Sequence, residues 1–326
     1  MLSLKKNLNL YRSYKMYSQN LWKQLHQLRL WAFIAGFALA LLHQVGGEVH
    51  PAIDYIFFGF FVVLVGIPHG AIDHLVEEKY LEMQKKSFSL GRFLLKYVLQ
   101  ILAYGLLWLI MPALSLLLFL LISGWHFGES DMQPAPRHSL WKVNQMLLGS
   151  LVLFYILMRE PAFTGDIIYR ITRESHLARA IWAWAVSNAG WLYGTSAFFL
   201  LLTGYFAQRA EPLQWQQSKW VSFLLIMLLI YFLPLLPAFA LYFGGWHSLN
   251  TFGHMSGFLD NKKSIWQLWK AALPFTFLAI FFLAVIAYVW SALFSHIDPL
   301  PILFIFIAVI TLPHLLVMNK MFSVRE

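Results

Sequence analysis

The chain has 326 residues, 60% hydrophobic and only 12% charged, with a net charge of +9 and no cysteine. Soluble domains carry about 25% charged residues, so the composition excludes a water-soluble body of this size. It also excludes disulfides, thiolate ligands and a cysteine nucleophile, and without a basic soluble module the chain is no nucleic-acid binder.

Mean hydropathy of +0.63 and repeated apolar runs of roughly 18–22 residues imply an all-α polytopic transmembrane helical bundle of about 8–10 spans. The alternating pattern of a membrane β-barrel is absent. Residues 1–28 read as a basic cytoplasmic N-terminal segment, with Lys5, Lys6, Arg12, Lys15 and Lys23. Residues 29–326 read as one transmembrane domain, because no long polar linker divides them. No small-residue cleavage site follows the first apolar run, 30–45, so it is read as a retained span. The next runs are 53–75, 91–111 and, after a turn at Pro112, a fourth that ends near His126. A fifth run, 143–158, precedes a more polar segment at 159–179. Runs at 180–206, 220–233, 238–258, 268–293 and 301–318 complete the series. With the N-terminus inside, 19 of the 24 Lys and Arg fall on the cytoplasmic side, the bias expected of a multi-pass protein of the cell's inner membrane. The 159–179 segment breaks that bias with four Arg, and is a candidate re-entrant or interfacial helix.

The second run ends in Gly66-Ile67-Pro68-His69-Gly70-Ala71-Ile72-Asp73-His74. Ionisable side chains at membrane depth are costly and are read as functional by default. Related stretches follow at Trp125-His126-Phe127-Gly128-Glu129-Ser130-Asp131, at Trp246-His247-Ser248 and on to His254, and at Pro313-His314. All four runs point from outside to inside. At about 1.5 Å per residue, His69, His126, His247 and His314 share a layer roughly 15–23 Å below the outer surface. Four imidazoles on four helices at one depth suggest a metal or cofactor site, and without Cys the donor set leans to non-haem iron or copper. Asp73, Glu129 and Asp131 are placed to orient ligating imidazoles through their free N–H or to face cytoplasmic water, and His74 is a supporting or surface group rather than a ligand. His26, His43, His50, His138, His176 and His296 lie in loops or at span ends and are given no role. The 29 Phe, 14 Trp and 14 Tyr suit membrane cores and interfacial belts, and would also suit a tunnel for a long conjugated apolar ligand.

Gly66-Ile-Pro-His-Gly-Ala-Ile-Asp-His74, Ser123-Gly-Trp-His-Phe-Gly-Glu-Ser-Asp131, Trp246-His-Ser248 and Leu312-Pro-His-Leu315 resemble, in order and over most of the chain, the Brp/Blh family of membrane β-carotene 15,15'-dioxygenases. The resemblance implies cleavage of the central double bond of all-trans-β-carotene by O2 into two retinal molecules, which serve retinal-binding opsins. It implies a non-haem Fe(II) ion held by histidines, with His69, His126 and His247 on family ligand positions. The family's third motif usually carries a second His four residues on, and that position here is Thr251. His254, three residues further, is the expected fourth ligand if Gly253 breaks the helix. Otherwise His314 supplies the contact, or three histidines suffice.

Rival readings are a di-iron desaturase or hydroxylase, a transporter, a haem carrier, and a family member that binds carotenoid or retinal without cleaving it. The clustered H-x-x-H-H pairs of the first are missing. A transporter should show internal repeats, and the only echo is Pro68-His69 with Pro313-His314. Thr251 keeps the non-cleaving reading open.

Overall fold

The computed structural model describes residues 2–46, 49–132, 138–213, 217–259, 264–293 and 299–324; His296 lies outside them. Every regular element among these is helical, as backbone groups in lipid require. The chain is an all-α polytopic bundle. Helix α1 (Leu2–Val45) runs without a break from the basic segment into the first apolar run. The second run is a broken helix: α2 (Pro51–Phe61), a π-helical turn at Val62–Gly66, α3 (Ile67–Gly70) and α4 (Asp73–Met83). Next come α5 (Leu90–Ile110) and α6 (Pro112–Asp131), joined at Met111, with Pro112 in the first turn of α6. Then follow α7 (Ser139–Leu157), α8 (Pro161–Ile171), α9 (His176–Ser187), α10 (Ala189–Ala210) and α11 (Gln217–Tyr231). Helices α12 (Leu235–Ala240) and α13 (Leu249–Phe258) are joined by a second π-helical stretch, Leu241–Ser248, and α14 (Ile265–Leu293) and α15 (Pro299–Ser323) end the chain.

All ten apolar runs become helices, yet among the described residues seven stretches are long and apolar enough to cross a bilayer, and an eighth forms if α9 and α10 count as one bent span. The sixth run is not straight. It bends by 75° between Ser187 and Ala189, where the Asn188 side chain donates to the carbonyl of Trp184 at 2.8 Å, the local competition by which Asn interrupts helices. Helix α11 has 15 residues, short of the ~20 that span a bilayer upright. The α12–α13 stretch is buried almost throughout, so its polar residues face protein rather than lipid.

The 159–179 segment folds back on the bundle. Glu160 accepts from the backbone N–H of Leu235 at 2.8 Å, and Arg159 donates to the carbonyl of Leu233 at 3.3 Å. This pins α8 beside the α11–α12 junction, with Thr164, Ile167 and Ile168 buried.

Lipid is as apolar as leucine, so helices here associate through close packing, and small residues permit it. The tightest approach is α6 on α7. A side chain at Gly128 would collide with the carbonyl of Gln145, and one at Gly149 with the carbonyl of Gly124. That approach fixes α6, and with it His126. Helix α15 runs through the middle and packs against α4, α5, α6, α8 and α14. Helices α5 and α14 lie at the rim, with faces such as Leu95, Leu102, Phe277 and Phe281 exposed.

Candidate metal centre

Pro68 is the first cause of the local geometry around His69. It has no N–H to offer the carbonyl of Leu64, four residues back; the Trp269 indole of α14 donates to that oxygen instead, at 2.8 Å. The preceding π-helical turn and the break at Ala71–Ile72 rotate the chain on either side of His69. Such π-turns often mark functional sites, and the second one carries His247 near its end.

Four imidazole rings meet in the middle of the bundle. His126 lies 4.7 Å from His247 and 4.9 Å from His314 between ring centres, and His69 lies 4.8 Å from His314 and 5.6 Å from His247. All four are buried, His247 completely. His69, His126 and His314 each offer a nitrogen within 4.8 Å of the other two, a grouping that could hold a metal ion.

Hydrogen bonds decide which nitrogens face inward. The Nδ1–H of His69 meets the carbonyl of Gly66, with Ser248 Oγ at 3.1 Å, so Nε2 is its free donor atom. His314 directs Nδ1–H at Asp73, 2.8 Å from Oδ1 and 3.0 Å from Oδ2, and Tyr97 donates to the same Oδ2 at 3.0 Å. A carboxylate behind an imidazole fixes its tautomer and raises its basicity toward a metal. Both nitrogens of His126, both of His247 and Nε2 of His314 are buried without a hydrogen-bond partner. An unsatisfied buried polar group costs about 1–3 kcal/mol, so a cluster of them calls for a group that takes their lone pairs. A divalent transition metal fits this all-imidazole set.

The structure keeps His254 out of the ring cluster. Helix α13 runs through Gly253 unbroken, and His254 donates to the carbonyl of Ser130 at 3.1 Å, with its ring edge-on to Phe322. Thr251 donates to the carbonyl of His247 at 2.9 Å and pairs with Ser130 Oγ at 3.1 Å. The His74 ring lies 4.8 Å from that of Phe275, tilted by 50° to it. Glu129 faces the Asn319 amide, which donates to both carboxylate oxygens at 3.2 Å once its oxygen and nitrogen are exchanged. Asp131 accepts from Tyr242 at 2.8 Å and Trp246 at 2.9 Å. It thus clamps the helix that carries His247 to the helix that carries His126, rather than touching an imidazole. Asp131→Ala would strand two buried donors at about 1–3 kcal/mol each. The expected result is a lower unfolding temperature in detergent with metal stoichiometry unchanged in the folded fraction.

Tyr97 and Ser248 were not legible as site residues. Tyr97 sits in an ordinary apolar run beside Lys96, and nothing in its spacing links it to Asp73. Ser248 follows His247 directly, and that adjacency was the one available signal.

The rings border a cavity of about 500 Å³ with otherwise mostly apolar walls. His69, His126 and His314 contribute to its wall, and Phe119, Phe239 and Phe304 to its apolar part. It reaches the rim between α5 and α14, where Val98, Leu102, Leu278 and Phe282 line it and are themselves exposed on the outside of the bundle.

The profile of the family described as beta-carotene 15,15'-dioxygenase matches residues 60–322. The chain belongs to this family. The match takes in all four central histidines, Asp73 and Tyr97. A beta-carotene 15,15'-dioxygenase of uncultured marine bacterium 66A03 is 41% identical over 80 residues, 24% of this chain and 29% of the relative. The matched part thus spans less than a third of that protein. No solved structure matches.

Proposed function

We propose that this family member is a β-carotene 15,15'-dioxygenase that cleaves the central double bond of all-trans-β-carotene with O2, one oxygen atom going to each of two retinal molecules. The supporting observation is the ring of four buried histidines, with unpartnered nitrogens, beside an apolar cavity open toward lipid. His69, His126, His247 and His314 would hold one non-haem Fe(II) ion, with His314 taking the place expected of His254. When bound, that ion supplies the redox chemistry by which O2 is used.

The chain's own residues do the rest. Asp73 and Tyr97 hold His314 with Nε2 inward, and Gly66 and Ser248 do the same for His69. Apolar walls exclude water and hold an extended polyene against the imidazoles, in the role the protein plays toward any cofactor. The gap between α5 and α14 admits a hydrocarbon directly from the bilayer, its only concentrated source. The N-terminus lies in the cytoplasm, by the charge bias, in the inner membrane. Retinal leaves by the same lipid route and becomes available to a retinal-accepting opsin.

The test is expression in a β-carotene-producing bacterial host, with retinoids and residual carotenoid measured in extracted membranes. Loss of host colour with two retinal formed per carotene lost, abolished by His126→Ala, is the expected outcome. Retained carotene and no retinal from folded, iron-loaded protein would overturn the assignment.

A further inference from the structure

A second cavity, of about 860 Å³, lies between α4, α5 and α15, at the end of the bundle where α4 gives way to the loop before α5. It is separate from the apolar cavity except at Phe93 and Tyr97, which line both. Four cations border it: Lys86 from the loop, Arg92 and Lys96 from the first two turns of α5, and Lys320 from α15. Lys320 is neutralised by Glu77, with Nζ 2.8 Å from each carboxylate oxygen. Lys86, Arg92 and Lys96 have no carboxylate partner among the described residues.

That arrangement is unfavourable as it stands. Arg92 and Lys96 are like charges four residues apart on one helix, a destabilising spacing. Lys96 lies roughly 9 Å along α5 from its first residue, in a helix long and apolar enough to cross a bilayer. Lys86, Arg92 and Lys96 are all exposed, and they border one concavity together with the hydroxyl-bearing Ser87 and Ser89 and an apolar wall that includes Leu81 and Leu316. Cations at the mouth and carbon beside them match a group that is anionic at one end and apolar at the other.

We propose that this pocket binds a phosphate-bearing anion, with the headgroup of an anionic phospholipid from the adjoining leaflet as its occupant. Lys86, Arg92 and Lys96 contact the phosphate, and the apolar wall takes the first carbons of the acyl chains. Basic pockets between transmembrane helices recognise lipid headgroups in this way. The site is independent of carotene cleavage, so its failure and the failure of the proposed function would be read separately.

The experiment uses the full chain purified and placed in phosphatidylcholine nanodiscs, with and without phosphatidylglycerol as a minor component. A ligand that binds only the folded state raises the unfolding midpoint, here by about 4 °C. The Lys86→Gln/Arg92→Gln/Lys96→Gln variant is expected to lose at least three quarters of that shift, while melting no lower than the parent in phosphatidylcholine alone. Saturating inorganic phosphate is the second arm. No shift from phosphate supports the lipid as occupant, and a matching shift supports the phosphate chemistry but assigns it to a free anion. No shift in the parent, or an equal shift in the variant, overturns the proposal. Should the triple variant not fold, native mass spectrometry of the unmodified chain decides: preferential retention of phosphatidylglycerol over phosphatidylcholine supports the site, and equal retention overturns it.

Discussion

Replacing His314 with alanine is expected to strip the protein of iron and to lower retinal formation at least about 100-fold. Loss of a residue that merely supports a metal ligand costs 10–100-fold, and loss of the ligand itself should exceed that range. His314 comes within 4.8–4.9 Å of two other imidazoles, its Nε2 is buried without a partner, and its other nitrogen is already held by Asp73. The informative comparison is with His254→Ala and Thr251→Ala, which should keep about one iron per chain. His254 is seven residues from His247, about 10 Å along a regular helix, and its ring nitrogen is bonded to Ser130. Iron measured by plasma emission on the three purified variants separates the cases. Full iron in His314→Ala, or empty His254→Ala, would sink the proposed ligand set.

The second large effect is expected at Asp73, which touches no substrate and acts through His314. Asp73→Asn keeps the shape and one acceptor but removes the charge that strengthens the bond from the imidazole. Iron affinity should fall about 10–100-fold, as read by the chelator concentration that removes half the metal. Activity should return when Fe(II) is added in excess, which a purely structural lesion would not permit. Tyr97→Phe, one bond further out, removes a single hydrogen bond to a charged acceptor, worth about 1.5–3 kcal/mol. It should move the same chelator midpoint in the same direction by a smaller factor. An unchanged midpoint in Asp73→Asn would mean that the carboxylate holds α4 to α15 and does nothing for the metal.

The membrane class and the histidine layer were legible for a shared reason. Burying charge in lipid is expensive, so the few polar residues inside apolar runs stand out against a uniform background. His69, His126, His247 and His314 each sit in such a run, and chain direction alone put them at one depth. Span number was less legible because hydropathy counts apolar residues and does not register bends. The run at 180–206 is apolar throughout, yet it turns by 75° at Asn188, where a side chain competes with the backbone.

The sequence by itself determined that this is a helical membrane protein, which four segments set a histidine within an apolar run, and which family it resembles, because period, polarity and motif are local properties. Only the tertiary structure decided that His314 rather than His254 joins the ring. The choice depends on how α15 packs against α4 and α6 and on α13 running straight through Gly253. It also decided that Asp73 stands behind His314 with Tyr97 behind it, and that Asp131 serves Tyr242 and Trp246 instead of an imidazole. Those pairings join residues 24 to 241 positions apart. A hydrogen bond is set by distance and angle in space, and sequence spacing carries that information only within a single helix.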